Sequence, residues 1–152
     1  MIQIRDASRE DVPSILRLIK ALAEYEREPN AVENTVADLE NHLFEEKICN
    51  AFVAEDASGI IGFALYYTSY STWKGKCLYL EDLYVQKNKR TSGIGGLLFE
   101  KVVNRAKNSK VKRMEWLVLE WNEPAINFYK KHKASLDKNW ITGKFEFGDL
   151  IK

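Results

Sequence analysis

LYLEDLYVQKNKRTSGIGGLL, residues Leu78 to Leu98, decides the fold. Its first half has an apolar strand pattern and carries two adjacent carboxylates, Glu81 and Asp82. A basic turn follows (Lys87, Lys89, Arg90), then a cluster of small residues, then an amphipathic helix pattern. A strand that feeds a glycine-lined helix start leaves backbone N–H groups unpaired at the positive end of the helix dipole, which makes a site for phosphate or pyrophosphate. The two acids would point to opposite faces of a regular strand, so one of them must face the more apolar side, where an unpaired charge is costly.

Upstream, Ile2 and Ile4 alternate as in a short strand, and Ser8 with Asp11 forms a capping-box pattern. Val12, Ile15, Leu16, Ile19 and Leu22 then recur at helical spacing, with Pro13 tolerable only in the first turn. Pro29 and Asn30 end that helix, leaving Tyr25, Glu26 and Glu28 on its exit, and Thr35 with Asp38 starts a shorter one through Leu39, Leu43 and Phe44. From Ala51 the period changes to that of strands. Ala51 to Glu55, a turn at Asp56 to Gly59, and Ile60 to Tyr70 form an antiparallel hairpin, and a loop with Trp73 and Gly75 leads into the Leu78 strand. Downstream, a helix from Gly93 to about Lys107 should bury Ile94, Leu97, Leu98, Val102 and Ala106. Met114 to Leu119 is the next strand, and a strand–helix–strand succession implies a parallel crossover. Pro124 opens a last helix through Ile126, Phe128 and Tyr129, with Phe128 serving the core, and Trp140, Phe145 and Phe147 close the chain with one or two strands. The expected fold is a single α+β domain over residues 1–152, a mixed central sheet flanked by about four helices.

The 152 residues suffice for a core without disulfides or a structural metal. Lys plus Arg is 23 against 22 for Asp plus Glu, so no global field draws the chain to nucleic acid or to a membrane surface. No segment approaches the ~18 apolar residues of a spanning helix and the N-terminus has no signal-peptide pattern, so a cytoplasmic protein is expected. Cys49 and Cys77 form no Cys-x-x-Cys pair, His42 and His132 stand alone, and no metal site is expected.

Arg90-Thr91-Ser92-Gly93-Ile94-Gly95-Gly96 is neither a dinucleotide fingerprint nor a P-loop. Gly93 and Gly95 allow a ligand to approach the backbone, and Lys87, Lys89 and Arg90 add positive charge; on spacing alone, a glycine turn that merely caps a helix answers the same pattern. Arg90-x-x-Gly93-Ile94-Gly95 between a strand and a helix resembles the acetyl-CoA signature of the GNAT acetyltransferase superfamily. Tyr67-x-x-Tyr70-x-x-Trp73-x-Gly75, Tyr79-Leu80-Glu81-Asp82 and Glu120-Trp121-Asn122-Glu123-Pro124-x-Ile126-Asn127-Phe128-Tyr129-Lys130 resemble, more narrowly, the diamine (spermidine/spermine) N-acetyltransferases and their thialysine-acetylating relatives.

The resemblance implies an acetyl-CoA-dependent N-acetyltransferase that transfers directly to a primary amine in a ternary complex. It implies that Leu83, Tyr84 and Val85 pair with pantetheine, that Arg90, Thr91, Ser92, Gly93, Ile94, Gly95 and Gly96 bind the pyrophosphate, and that Asn122 and Asn127 contact the coenzyme. The usual pattern has glycine directly after the arginine, and Thr91 departs from it. Glu81 is implied to help deprotonate the amine, which at a pKa of about 10.4 is almost wholly ammonium at neutral pH, and Tyr129 to protonate the leaving thiolate. Tyr25, Glu26, Trp73, Glu81, Asp82, Glu120 and Trp121 could frame an acidic and aromatic pocket for a cation. In the resembled group Tyr25 and Glu26 match positions at a homodimer interface. Polyamine-acetylating members carry Asp-Pro before the tryptophan; this chain reads Ser71-Thr72-Trp73, as the thialysine branch does, which implies preference for a small amino-acid-like amine. Acetylation of a protein or peptide amine, and a coenzyme-binding regulatory module without turnover, are the alternatives.

Overall fold

The computed structural model describes residues 1–90 and 92–150. Thr91, expected in the phosphate turn, lies outside the described residues. The chain divides into two compact units, Met1–Leu117 and Val118–Lys152.

The first unit holds one five-stranded sheet in the order β1 (Gln3–Asp6), β2 (Asn50–Asp56), β3 (Gly59–Ser71), β4 (Gly75–Val85) and β5 (Met114–Glu115). Neighbours pair antiparallel except β4 and β5, which are parallel, so the expected mixed sheet, hairpin and meander are present. β5 is shorter than expected: only Met114 and Glu115 pair, with Leu78 and Tyr79, and Leu117 is exposed. Beyond Tyr79, β4 therefore has no strand on that side among the described residues.

Helix α1 (Val12–Tyr25) lays Val12, Ile15, Leu16 and Leu18 against Ala51, Val53, Phe63, Leu65 and Tyr84, joined by Leu39 and Leu43 from α2 (Val36–Glu40) and the π turn that continues it. The Ser8 backbone N–H donates to the Asp11 carboxylate at 2.7 Å, and the Thr35 hydroxyl accepts from the Asp38 N–H at 3.1 Å, so both helix starts form where the polar residues place them. Helix α3 (Ile94–Asn108) packs on the sheet through Ile94, Leu98, Phe99, Val102 and Ala106. Leu97, expected in the core, is exposed, and Phe99 is buried instead. Gly62 lets β4 and α3 close in: a Cβ there would lie 3.0 Å from the Tyr84 carbonyl oxygen and 3.2 Å from a Leu98 methyl.

In the second unit, α4 (Glu123–Lys131) carries Pro124 in its first turn, and a short α5 (Phe147–Leu150) follows. The expected closing strands are absent among the described residues: 134–146 has no regular structure, and Trp140, Ile141, Phe145 and Phe147 are exposed. Alternating aromatics supply a strand pattern, but a strand also needs a partner edge.

Candidate active site

The β3–β4 register decides what the two acids do. Asp82 pairs with Leu65 and Leu80 with Tyr66, so Glu81 is an extra residue, a β-bulge. Leu65 and Tyr67 share one face of β3, hence their partners Asp82 and Tyr79 share it too, and Glu81, two residues after Tyr79, joins them. The expectation of opposite faces is thereby corrected, because it assumed a regular strand. Both carboxylates belong to the face covered by α1.

Glu26, one residue beyond the α1 end, is close enough to the pair to interact with it electrostatically. Burial pushes the Asp82 carboxyl up to about 7, and the charges of Glu81 and Glu26 push in the same direction. Burial and the charge of Glu81 also raise Glu26. Two phenols line the cluster: Tyr67 and Tyr79 stack with centroids 5.3 Å apart. Burial first, then Glu81, raises both, Tyr79 to about 12. A group of acids and rings of this kind can receive a cation. Sequence reasoning places neither tyrosine in the lining; hairpin partnering across β3 and β4 is the signal that could have found them. Among the described residues no group of His, Cys, Asp and Glu is placed to hold a metal ion.

On the open side of β4, beyond Tyr79, the backbone pairs with no strand among the described residues. The Gln86 N–H donates to the Ile61 carbonyl at 2.8 Å, which makes Gly62 and Val85 a non-hydrogen-bonded pair and turns the amide groups of Val85, and of Leu83 two residues earlier, away from β3. Tyr84 sits between them, its ring buried on the α1 face. The open edge passes directly into the glycine turn. Ser92 donates its hydroxyl to the Lys89 carbonyl at 3.0 Å, and Gly93 takes a left-handed φ of 80° that starts α3. The first helical bond runs from Leu97 N–H to Gly93 carbonyl at 3.1 Å, so the N–H groups of Ile94, Gly95 and Gly96 precede it and lack intrahelical acceptors. A Cβ on Gly96 would meet nothing within 4 Å, so no neighbour in the fold requires glycine there.

Arg90 is already engaged. Its Nε–H donates to the Val85 carbonyl at 2.9 Å, and its guanidinium carbon lies 5.0 Å from the Tyr25 ring centroid and 5.1 Å from that of Tyr84. Lys89 pairs with Asp56 at 2.9 Å. Trp73, at the tip of the β3–β4 hairpin, is 80% exposed.

In the second unit, Asn122 is buried and its side-chain oxygen accepts from the Ala125 N–H at 3.3 Å, capping α4. Asn127 and Glu120 are exposed, Glu120 lying 3.8 Å from Lys138, and Trp121 is 39% exposed. Tyr129 is buried and meets Phe128 edge to face at 5.3 Å. Phe128, expected in the core, is only half-buried.

The model of the acetyltransferase (GNAT) family matches residues 15–133. The thialysine N-epsilon-acetyltransferase of Bos taurus is 38% identical over 138 residues, 85% of this chain and 81% of its own length. The spermidine/spermine N(1)-acetyltransferase-like protein 1 of Homo sapiens is 38% identical over 160 residues, 98% of this chain but only 23% of its own length. Among solved structures, an integron cassette protein from the mobile metagenome of V. cholerae superposes with a TM-score of 0.79 over 99% of this chain and 98% of that one, at 24% identity, a likeness of fold alone. The α+β sheet, the family match and the two relatives agree, and the chain belongs to the GNAT acetyltransferase family.

Proposed function

We propose that this acetyltransferase uses acetyl-CoA to acetylate the primary amine of a small cationic substrate, a lysine- or thialysine-like amino acid or a short diamine, by direct transfer in a ternary complex. The observation that carries the proposal is the bulge at Glu81, which turns two adjacent acids onto one face beside Glu26, Tyr67 and Tyr79 while leaving the Leu83 and Val85 edge open. Acetyl-CoA supplies an activated acyl group. The edge of β4 from Leu83 to the Val85 N–H suits amide groups of a pantetheine arm, and the N–H groups of Ile94, Gly95 and Gly96, which lack intrahelical acceptors, suit its pyrophosphate.

An ammonium is held by the acidic face, and Glu81 helps remove its proton, since the amine attacks only when neutral. The acid is Tyr129. Proton donation from a phenol near 10 to a thiolate near 8.5 is uphill by only ~1.5 units. That assignment rests on the family motif; Tyr129→Phe should lower thiol release at least about a hundredfold, and full turnover would remove the role.

The chain acts as one domain over 1–152 and as a homodimer in the cytoplasm, engaging neither nucleic acid nor membrane. Exposed Trp140, Ile141, Phe145 and Phe147 in a short segment support a second copy, since soluble chains rarely leave such patches uncovered. The test is thiol release from acetyl-CoA with thialysine, lysine, short diamines, spermidine and a peptide. Thialysine or lysine should lead. Preference for spermidine would overturn the specificity argument from Ser71 and Thr72, preference for the peptide would favour a protein acetyltransferase, and coenzyme binding without thiol release would mean a regulatory module.

A further inference from the structure

We propose that Arg90, beyond any part in the phosphate turn, is a positioning residue for the amine, acting through Tyr25. This rests on the acetyltransferase reading of the acidic face. The Arg90 guanidinium is aimed by its Nε–H bond to the Val85 carbonyl, a fixed point on β4, and lies over the rings of both Tyr25 and Tyr84. Tyr84 belongs to the sheet core, so this end of the contact is rigid. Tyr25 is the last residue of α1, where the chain leaves the helix through Arg27 at a positive φ of 66°. The next residue, Glu26, is the member of the acidic face that does not come from β4. The position of one wall of the amine site is thus tied, through a single side chain, to the start of the turn that receives the cosubstrate.

The contact depends on the shape of arginine and not on its charge alone. A lysine would keep a cation for a phosphate but has no Nε–H to be aimed by the carbonyl and no flat group to lie over two rings. Arg90→Lys therefore separates the two roles. The amine KM should rise about three- to tenfold, more than the acetyl-CoA KM. On a Tyr25→Leu background Arg90→Lys should add little further to the amine KM, whereas on Tyr25→Phe, which keeps the ring, its effect should persist. Amide exchange across residues 24–28 should also quicken in Arg90→Lys, a readout that needs no turnover. A rise confined to the acetyl-CoA KM, independent effects of Tyr25→Leu and Arg90→Lys, or unchanged exchange at 24–28 would overturn the proposal. Absence of turnover by the wild-type enzyme with every amine would instead refute the reading it rests on, and the exchange measurement would still decide the contact.

Discussion

Asp11 and Asp82 are both carboxylates withdrawn from water, and they are treated in opposite ways. Asp11, 6% exposed, receives both terminal nitrogens of Arg5 at 2.7 and 3.0 Å and the Ser8 N–H at 2.7 Å. Burial works to raise its pKa, but those bonds outweigh it and hold the group below the usual carboxylate range. Asp82 has no cation or hydrogen-bond donor among the described residues and faces Glu81 and Glu26, and its midpoint stands at about 7. The signs follow. Asp11 stabilises the fold above its unfolded midpoint, near 3.9, and that contribution is lost as pH falls through its folded value. Asp82 binds its proton more tightly when folded, so stability declines as pH rises from about 4 to about 7 and the full penalty persists above. A fold seeking stability alone would pair the second acid as it pairs the first; leaving it unpaired among like charges suits an incoming ammonium.

Glu81→Gln should disturb this contrast most. If the bulge residue serves the amine, kcat/KM should fall about 10²- to 10³-fold, and the Asp82 midpoint should fall with it because a neighbouring negative charge is gone. A pH–rate profile with and without the substitution reads both effects. Asp11→Asn should cost about 2–4 kcal/mol in urea unfolding at neutral pH, since it leaves Arg5 short of its closest partner, with kcat/KM per folded molecule little changed. Asp82→Asn should do the reverse, raising stability at pH 8 by about 1–3 kcal/mol while lowering amine affinity, and the gain should shrink toward pH 5, where the wild-type carboxyl is already protonated.

The glycine turn, the hairpin at Asp56 to Gly59, both N-caps and the strand–helix–strand order are legible in local residue choice, where backbone freedom and side-chain capping act over a few positions. The bulge is not, because alternation presumes a regular ladder and Glu81 becomes the extra residue only when β3 fixes the register. The exchange of Leu97 for Phe99 in the core, and the partial exposure of Phe128, have a similar origin: spacing marks an apolar face, while the docking of the helix decides which of its border residues is covered. The engagement of Arg90 with Tyr25 joins residues far apart in sequence and has no short-range signature.

Whether Asp82 is held unpaired for an ammonium can be decided by a carboxyl NMR titration of the aspartate-labelled protein from pH 3 to 9, with Asp82→Asn to assign the resonance. Asp82 should titrate near 7 in the free protein and Asp11 below the usual aspartate range, and saturating thialysine should move the Asp82 midpoint downward as its ammonium enters the acidic face. An Asp82 midpoint of about 4 or below in the free protein, or one that thialysine leaves in place, would be incompatible with that role.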